Sequence, residues 1–175
     1  MLTTPRLVLR RWRPEDRGPF AALTADPEVM AHFPGVLDRA ASDALADRCA
    51  ATCDAAGLGL TAVERRDDGA FLGFVGVHRH RWYPDDVEIG WRLARHAWGR
   101  GYATEAARAW AERAFTVLGL PRLVSITTPA NAASTAVMHR LGMVEGWRAE
   151  HEGQRVVVHV LDRARWAAGA AGTGP

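Results

Sequence analysis

Two glycines, Gly99 and Gly101, stand between a segment with the alternation of a strand and a segment with helical spacing. The first N–H groups of a helix have no partner within the helix, and the helix dipole adds positive charge there. Phosphate groups bind at such helix starts, and glycines let the backbone come close to them. Arg95 and Arg100 can add charge-assisted hydrogen bonds. The turn is therefore predicted to bind a phosphate-bearing ligand.

The turn also fits other interpretations in part. A P-loop has a lysine after its glycines, but all 22 basic residues of this chain are arginines, which also excludes a lysine nucleophile or Schiff base. A dinucleotide fingerprint has a third glycine where this chain has Thr104, and it lies in a βαβ unit, whereas a hairpin is predicted before this strand. The glycines can also serve backbone geometry alone, and the turn by itself leaves that interpretation open.

The elements around the turn follow from hydrophobic periodicity. Apolar and polar residues alternate from Val87 to Leu93, which predicts a strand, and apolar residues recur at helical spacing from Ala103 to Leu118, where Gly119 ends the helix. The other predicted elements are a strand at Arg6–Trp12, a helix after Pro14, a helix capped by Ser42 and running to about Ala56, strands at Leu58–Glu64 and Phe71–His78 with a hairpin turn at Arg65–Gly69, a turn at Pro84–Asp86, a strand at Arg122–Thr127, a helix from Asn131 to about Leu141, and a final hairpin of Met143–Ala149 and Val156–Leu161.

This order, β-α-α-β-β-β-α-β-α-β-β, predicts one mixed α/β domain over residues 1–166. The Gly- and Ala-rich segment 167–175 is expected to be a disordered tail. No apolar run approaches the roughly 20 residues of a membrane helix, and arginines interrupt the first apolar stretch, so we expect a soluble, cytoplasmic protein without a membrane partner.

The composition also limits partners and metals. The net charge is +2, and acidic residues alternate with arginines along the chain. The segregated basic stripe that is typical of nucleic-acid-binding proteins is absent from the sequence, so no nucleic-acid partner is predicted. Cys49 and Cys53 are too few for a disulfide framework or a zinc site and are predicted to be structural thiols.

Further motifs flank the turn. Val87-Glu88-Ile89-Gly90-Trp91 precedes it, and Asn131-Ala132-Ala133-Ser134 and Leu141-Gly142-Met143 follow the next strand. With the turn Trp98–Ala103 and with Asp26–Met30, these motifs resemble the GNAT superfamily of N-acetyltransferases. Within it they resemble most the RimJ/RimL-type group, which acetylates N-terminal amines of ribosomal proteins. The likeness spans about residues 7–161. Trp98 stands where the wider superfamily has glutamine or arginine.

The resemblance implies a central, mostly antiparallel twisted sheet of about seven strands, flanked by about four helices and splayed at the cofactor strand. The implied cofactor is acetyl-CoA, with its pantetheine beside Trp91–Leu93, where this strand parts from Val124–Thr127. The implied cofactor-binding residues are Trp91, Arg92, Leu93, Trp98, Gly99, Arg100, Gly101, Tyr102, Ala103, Thr104, Asn131 and Ser134.

The implied reaction is attack of a neutral amine on the thioester. At neutral pH on the order of a tenth of α-amines are neutral, against less than about a thousandth of lysine amines, so an α-amine needs little help. Glu88 is the predicted base, acting through water; alternatively, it is a surface charge or pairs with an arginine. Many enzymes of the superfamily have a tyrosine on the helix that begins here at Asn131, but this helix has none. Ser134 resembles the serine that the subgroup has at the corresponding place, which implies that it donates the proton to the thiolate; alternatively, it is an ordinary hydroxyl at a helix start. A strand N–H near Trp91 or Arg92 can stabilise charge on the thioester oxygen.

The predicted acceptor site contains His32, Phe33, His78, Trp82 and Glu88. The histidines at 78 and 80 have no third metal ligand near them in the sequence, so no metal site is predicted. The leading hypothesis is acetyl transfer to a primary amine, with a protein N-terminal α-amine as acceptor. The alternatives are a small-molecule amine, such as an antibiotic or an amino-acid-like amine, and a non-catalytic acyl-CoA-binding module. The resemblance is compatible with a homodimer.

Overall fold

A computed structural model describes residues 1–53 and 57–171 of the chain. Within these ranges the strands are β1 (Leu2–Thr3), β2 (Leu7–Arg10), β3 (Gly59–Arg65), β4 (Phe71–His80), β5 (Tyr83–Leu93), β6 (Arg122–Thr127), β7 (Val144–His151) and β8 (Gln154–Asp162). The α-helices are α1 (Arg17–Thr24), α2 (Arg39–Ala51), α3 (Tyr102–Thr116), α4 (Ala132–Arg140) and α5 (Arg163–Ala171), with short 3-10 turns at Pro14–Asp16 and Arg95–Ala97.

The described strands form one sheet in the order β1-β2-β3-β4-β5-β6-β8-β7. Neighbouring strands are antiparallel except β5 and β6, which are parallel. The registered pairing of β5 with β6 consists of Glu88 opposite Val124, and beyond it the two strands part. The prediction of a mostly antiparallel sheet that is splayed at the strand before the glycine turn is confirmed.

Helices cover both faces of the sheet. On one face, α3 and α4 pack on the larger core, and Trp110 of α3 lies there with its Nε1 donating to Thr61 Oγ1 at 3.0 Å. On the other face, α1 and α2 enclose a second core that includes Phe20 and Phe74. The alternation of β5 therefore sends successive side chains to two different layers.

Two elements were not predicted, namely β1 and α5. Trp166 of α5 donates from Nε1 to Glu112 Oε2 at 2.9 Å, and its ring lies 5.9 Å from that of Phe115. These contacts, together with the high helix propensity of alanine, extend the helix through Ala171. The expectation of disorder from Ala167 does not hold for residues 167–171, and residues 172–175 lie outside the described part.

The prediction that Ser42 caps the second helix is wrong. Asp38 is the N-cap, accepting from Ala41 N at 2.8 Å, and α2 starts at Arg39. Ser42 is buried within the helix, where Thr24 Oγ1 donates to its hydroxyl at 2.8 Å. The predicted helix end near Ala56 falls outside the described residues, and α2 ends at Ala51.

The predicted turn at Pro84–Asp86 is also wrong. His80 pairs with Tyr83, so the turn is formed by the two residues between them, and Pro84–Asp86 lie in an irregularity of β5. A bulge tolerates proline because its missing N–H interrupts no ladder bond. Of the helices in the described ranges, none is both long and apolar enough to span a membrane.

Candidate functional site

The glycine turn leaves the start of α3 open, as predicted. Gly99 and Gly101 have φ of 70° and 79°, in the left-handed region that glycine adopts without strain. Gly101 is the N-cap and offers no side chain to the helix, whose first backbone bond runs from Glu105 N to Gly101 O at 3.0 Å. The N–H groups of the first helical turn are thus available to an anion, and this donor set suits a diphosphate.

Arg6, near the N-terminus of the chain, holds the turn in place. Its Nη1 donates to Arg100 O at 2.9 Å, and its Nε donates to Glu105 Oε2 at 2.6 Å. Burial raises the pKa of Glu105, but hydrogen bonds from Thr4 and Arg6 outweigh this and leave the pKa below its usual value. Sequence reasoning missed Arg6, because nothing local to either segment indicates that β2 lies beside the start of α3.

The side chains of the turn differ in what they face. Tyr102 is buried in the core under the guanidinium of Arg6, at 4.7 Å, so only its backbone lies at the open helix start. Trp98 is 45% exposed, and its Nε1 donates to Leu93 O at 2.8 Å, which ties the turn to the end of β5. The Arg100 guanidinium is exposed and donates to His96 O at 3.3 Å.

The end of β5 has a free edge beside the turn. Trp91, Arg92 and Leu93 pair with β4, and no described strand pairs with them on the other side, although Leu93 O accepts the hydrogen bond from Trp98 Nε1. Unpaired N–H and C=O groups at such an edge can bind an extended ligand that carries amides. Trp91 packs toward the α3 layer, and the side chain of Arg92 lies on the opposite face.

At the start of α4, Asn131 is the N-cap, and its Oδ1 accepts from Ser134 N at 3.1 Å. Asn131 therefore has a structural role that was not predicted from the sequence, since the cap satisfies an otherwise unpaired N–H. The side chain of Ser134 is half-buried, and no hydrogen bond joins its hydroxyl to another described residue.

Glu88 is 8% exposed and lies where β5 and β6 part. Its Oε1 accepts from Ile126 N at 3.3 Å, and its Oε2 lies 3.2 Å from His78 Nε2 and 3.9 Å from His80 Nε2. Both alternatives for Glu88 are therefore wrong: it is not a surface charge, and its partners in the described residues are histidines rather than an arginine. The strand pairing causes this, because His78 is directly opposite Glu88.

The two histidines respond differently to this carboxylate. Burial lowers the pKa of His78, but the hydrogen bond to Glu88 and its negative charge outweigh burial, so the net shift is upward. The pKa of His80 is lowered, mainly by burial, because its more distant contact with Glu88 compensates less. Among the described residues, no group of three or more His, Cys, Asp or Glu side chains is arranged to hold a metal ion.

Aromatic rings extend this cluster away from Glu88. The rings of His80 and Trp82 are 4.9 Å apart, and Trp82 stacks on His151 at 4.4 Å. Tyr83 Oη lies 2.7 Å from His151 Nε2 and accepts from Trp147 Nε1 at 3.3 Å. Sequence reasoning missed His151 and Trp147, because they come from the β7–β8 hairpin and only the tertiary fold brings them here.

His32 and Phe33 follow α1 and point to different partners. His32 Nδ1 lies 3.3 Å from Thr128 Oγ1, just past the end of β6. Phe33 is 39% exposed and lies against Arg92, with the guanidinium carbon 3.7 Å from the ring centroid. We call the group formed by Phe33, His78, Glu88 and Arg92 the acceptor face, and the segment Trp98–Thr104 the diphosphate turn.

Comparison with known proteins supports one family. Residues 6–144 match the family described as "Acetyltransferase (GNAT) domain". The Bacillus subtilis protein YkkB is 32% identical over 144 residues, which are 81% of this chain and 84% of YkkB.

Solved structures agree in fold. An acetyltransferase from Agrobacterium tumefaciens superposes with a TM-score of 0.81 at 30% identity, over 91% of this chain and 92% of that one. The spermidine N-acetyltransferase of Vibrio cholerae, solved with CoA and spermine, superposes with a TM-score of 0.73 over 94% of this chain and 99% of its own. At 16% identity this second match supports the fold alone.

Proposed function

Because the chain belongs to the acetyltransferase (GNAT) family, whose members use acetyl-CoA, we propose that it transfers the acetyl group to a primary amine. The observation that carries this proposal is the position of Glu88. This buried carboxylate is held by His78 and by the Ile126 N–H at the point where β5 and β6 part.

Acetyl-CoA supplies the activated thioester carbonyl. The backbone donors of the diphosphate turn bind its diphosphate, and the free edge of Trp91–Leu93 binds the amides of its pantetheine. The left-handed glycines, the uncapped start of α3 and the unpaired edge of β5 support this assignment. The amide of Asn131 binds the cofactor beside its role as helix cap.

Glu88 accepts the proton of the acceptor amine, directly or through a water. A carboxylate has about four lone-pair positions, and the contacts to His78 and Ile126 leave others for the amine. His78 orients the carboxylate through its hydrogen bond and is a positioning residue. Ser134, half-buried at the start of α4, provides the proton for the thiolate that leaves.

The resemblance to the RimJ/RimL-type group favours the N-terminal α-amine of a protein as acceptor. Such an amine has a pKa of about 7.7–8.0 and needs one carboxylate rather than a strong base. A second candidate is a small amine, and it is favoured by the guanidinium of Arg92, which lies on the acceptor face without a carboxylate of the described residues beside it.

Replacement of Glu88 by Gln tests the proposal. We expect kcat to fall at least about tenfold, on the scale of general base catalysis, and most at low pH, where more of the amine is protonated. Turnover of acetyl-CoA with a panel of N-terminal peptides and small amines is measured from pH 6 to pH 9. Glu150→Gln, at an exposed strand position, is the matched control and should behave like the wild type.

A pH profile of Glu88→Gln that matched the wild type would remove Glu88 as the base. Acetyl-CoA should also raise the melting temperature of both proteins, since a ligand that binds the native state stabilises it. If saturating acetyl-CoA left the melting temperature of the wild type unchanged, the cofactor assignment itself would be contradicted.

A further inference from the structure

Arg92 has an unusual environment for a largely buried arginine. Its Nη1 lies 3.6 Å from Met30 Sδ, its guanidinium faces the rings of Phe33 and Phe74 at 3.7 and 5.7 Å, and its buried Nε has no hydrogen-bond partner in the described residues. No carboxylate of a described residue forms an ion pair with it. Its contacts are thus a thioether sulfur, a weak acceptor, and two aromatic faces.

Arg10 shows how the same fold treats another buried arginine. Its Nη1 and Nη2 donate to the two oxygens of Asp16 at 2.7 and 2.8 Å, and its Nε donates to Glu64 at 2.6 Å. This is the usual arrangement, because an unpaired buried charge loses its hydration without compensation. The two arginines differ in partners, and Arg92 has hydrogen-bond donors to spare.

Arg92 keeps its charge at neutral pH. Burial lowers its pKa to about 10, which still leaves the guanidinium protonated near pH 7. A planar guanidinium binds carboxylate oxygens through two parallel N–H bonds. The charge and the unused donors therefore suit an oxyanion that comes from outside the chain.

The position of Arg92 relates it to Glu88. Glu88, Gly90 and Arg92 alternate along β5 and so lie on the same face of the sheet. Gly90 lies between them, and a Cβ atom there would meet no atom within 4 Å, so the space above it is open. At the rise of a β-strand, the Cα atoms of Glu88 and Arg92 are roughly 13 Å apart. Their two side chains shorten the distance between the charged groups to about the length of a small molecule.

We infer that Arg92 is a specificity-determining residue that binds a carboxylate, or a similar oxyanion, carried by the acceptor. The amine of this acceptor lies at Glu88, and its anionic group lies several bonds away at Arg92. The inference rests on the proposed function, transfer to an amine at Glu88. It favours an amino-acid-like amine, or a short peptide with an acidic side chain near its N-terminus, over a polycation.

The test uses pairs of amines that differ only in the anionic group. Linear amino acids of increasing chain length are compared with their carboxamides, and peptides with Asp or Glu at the first two positions are compared with their Asn or Gln counterparts. The first pairs examine a small acceptor and the second a peptide. For the preferred pair, the wild type should show kcat/KM at least about tenfold higher for the acid, since hydrogen bonds between charged groups have this strength.

Arg92→Met replaces the cation with an apolar side chain of similar length, and Arg92→Lys keeps the charge without the bidentate geometry. The ratio of kcat/KM, acid over amide, should fall to about one in the Met variant, mainly through KM, and to an intermediate value in the Lys variant. Should the Met variant fail to fold, the Lys variant decides alone. Wild-type ratios near one for every pair, or an unchanged ratio in a folded Met or Lys variant, would overturn the inference.

Calorimetric binding of the preferred acid to the CoA-bound protein separates this inference from the proposed function. If uncharged amines are acetylated and every acid-over-amide ratio of kcat/KM is near one, the acetyltransferase proposal stands and the Arg92 site is overturned. If no amine is acetylated but an acid binds the wild type at least about tenfold more tightly than Arg92→Met, the proposed function is overturned and the anion site is supported. If the acids bind wild type and variant equally, the Arg92 site is overturned with or without turnover.

Discussion

The acceptor face lies along β5 from Glu88 to Arg92, and the diphosphate turn follows the end of this strand. The two regions offer a ligand different kinds of groups. The turn offers backbone N–H groups that its glycines and the start of α3 leave unpaired. The acceptor face offers side chains: the carboxylate of Glu88 fixed by His78, and the guanidinium of Arg92 beneath Phe33.

This difference explains why one region is easy to recognise and the other is not. A backbone site depends on conformation, so a short run of glycines before a helix carries most of its signal. A side-chain site depends on which segments the fold brings together, and Phe33 and Arg92 are 59 positions apart in the chain. The cofactor therefore follows from the family, whereas the acceptor depends on side chains that only the fold brings together.

The largest effect is expected at the turn, with Gly101→Val. A residue with a Cβ in the left-handed region costs about 1–2 kcal/mol, and more when it is β-branched. Relief of this backbone strain would redirect the N–H groups, whereas the Cβ itself would only reach an ordinary contact distance of 3.4 Å from Arg6 Nη2. Affinity for acetyl-CoA, measured by calorimetry, should fall more than about tenfold, which corresponds to about 1.4 kcal/mol.

Gly69→Val is the matched control for this prediction. Gly69 has φ of 72° and an open surrounding in the β3–β4 turn, so its substitution imposes similar backbone strain away from the site. It should lower the melting temperature and leave the affinity for acetyl-CoA unchanged. Equal affinities in both variants and in the wild type would show that the turn does not bind the diphosphate.

An intermediate effect is expected at Asn131, where two substitutions can separate its role as a helix cap from its proposed contact with the cofactor. Asn131→Ala removes the acceptor for Ser134 N and should cost about 1 kcal/mol of stability. Asn131→Asp keeps this acceptor but loses the amide donor, so it should retain the melting temperature and bind acetyl-CoA several-fold more weakly. Wild-type affinity in the Asp variant would leave Asn131 as a helix cap only.

The smallest effect is expected on the acceptor face, in the pH dependence of stability. The pKa of His78 is higher in the folded protein than its usual value of about 6.5. The pairing of His78 with Glu88 therefore makes its full contribution to stability at pH values below about 6.5. This contribution is lost as pH rises through the folded pKa. His78→Gln should therefore lower the unfolding free energy by up to about 1 kcal/mol at acid pH and by less at alkaline pH.

Urea unfolding from pH 5 to pH 9 measures this difference. In the Glu88→Gln background this pH dependence should be lost or reversed, because the partner charge is gone while burial still lowers the pKa of His78. A difference between wild type and His78→Gln that stayed constant with pH would mean that His78 contributes by packing rather than by its ion pair with Glu88.

Much of the fold was predictable, and two of the wrong predictions share one cause. The bounds of β6 and the hairpin of β7 and β8 followed from alternation and turn residues. Ser42 has the type of a helix cap, but Thr24 binds its hydroxyl inside the second core. Pro84–Asp86 have the composition of a turn, but Arg122 donates to Asp86 at 2.6 Å and holds the segment within the sheet. In both cases a distant partner outweighed local preference.

The sequence alone determined the family, the order of most elements and the backbone-built diphosphate turn, because periodicity and left-handed glycines act through neighbours in the chain. The tertiary structure alone decided that His78 and Ile126 hold Glu88, that Arg6 supports the turn, and that Arg92 faces Phe33 with no described carboxylate beside it. Charge pairing and burial depend on which segments are in contact in the folded protein. Strand order and helix packing decide these contacts, and no local pattern of residues does.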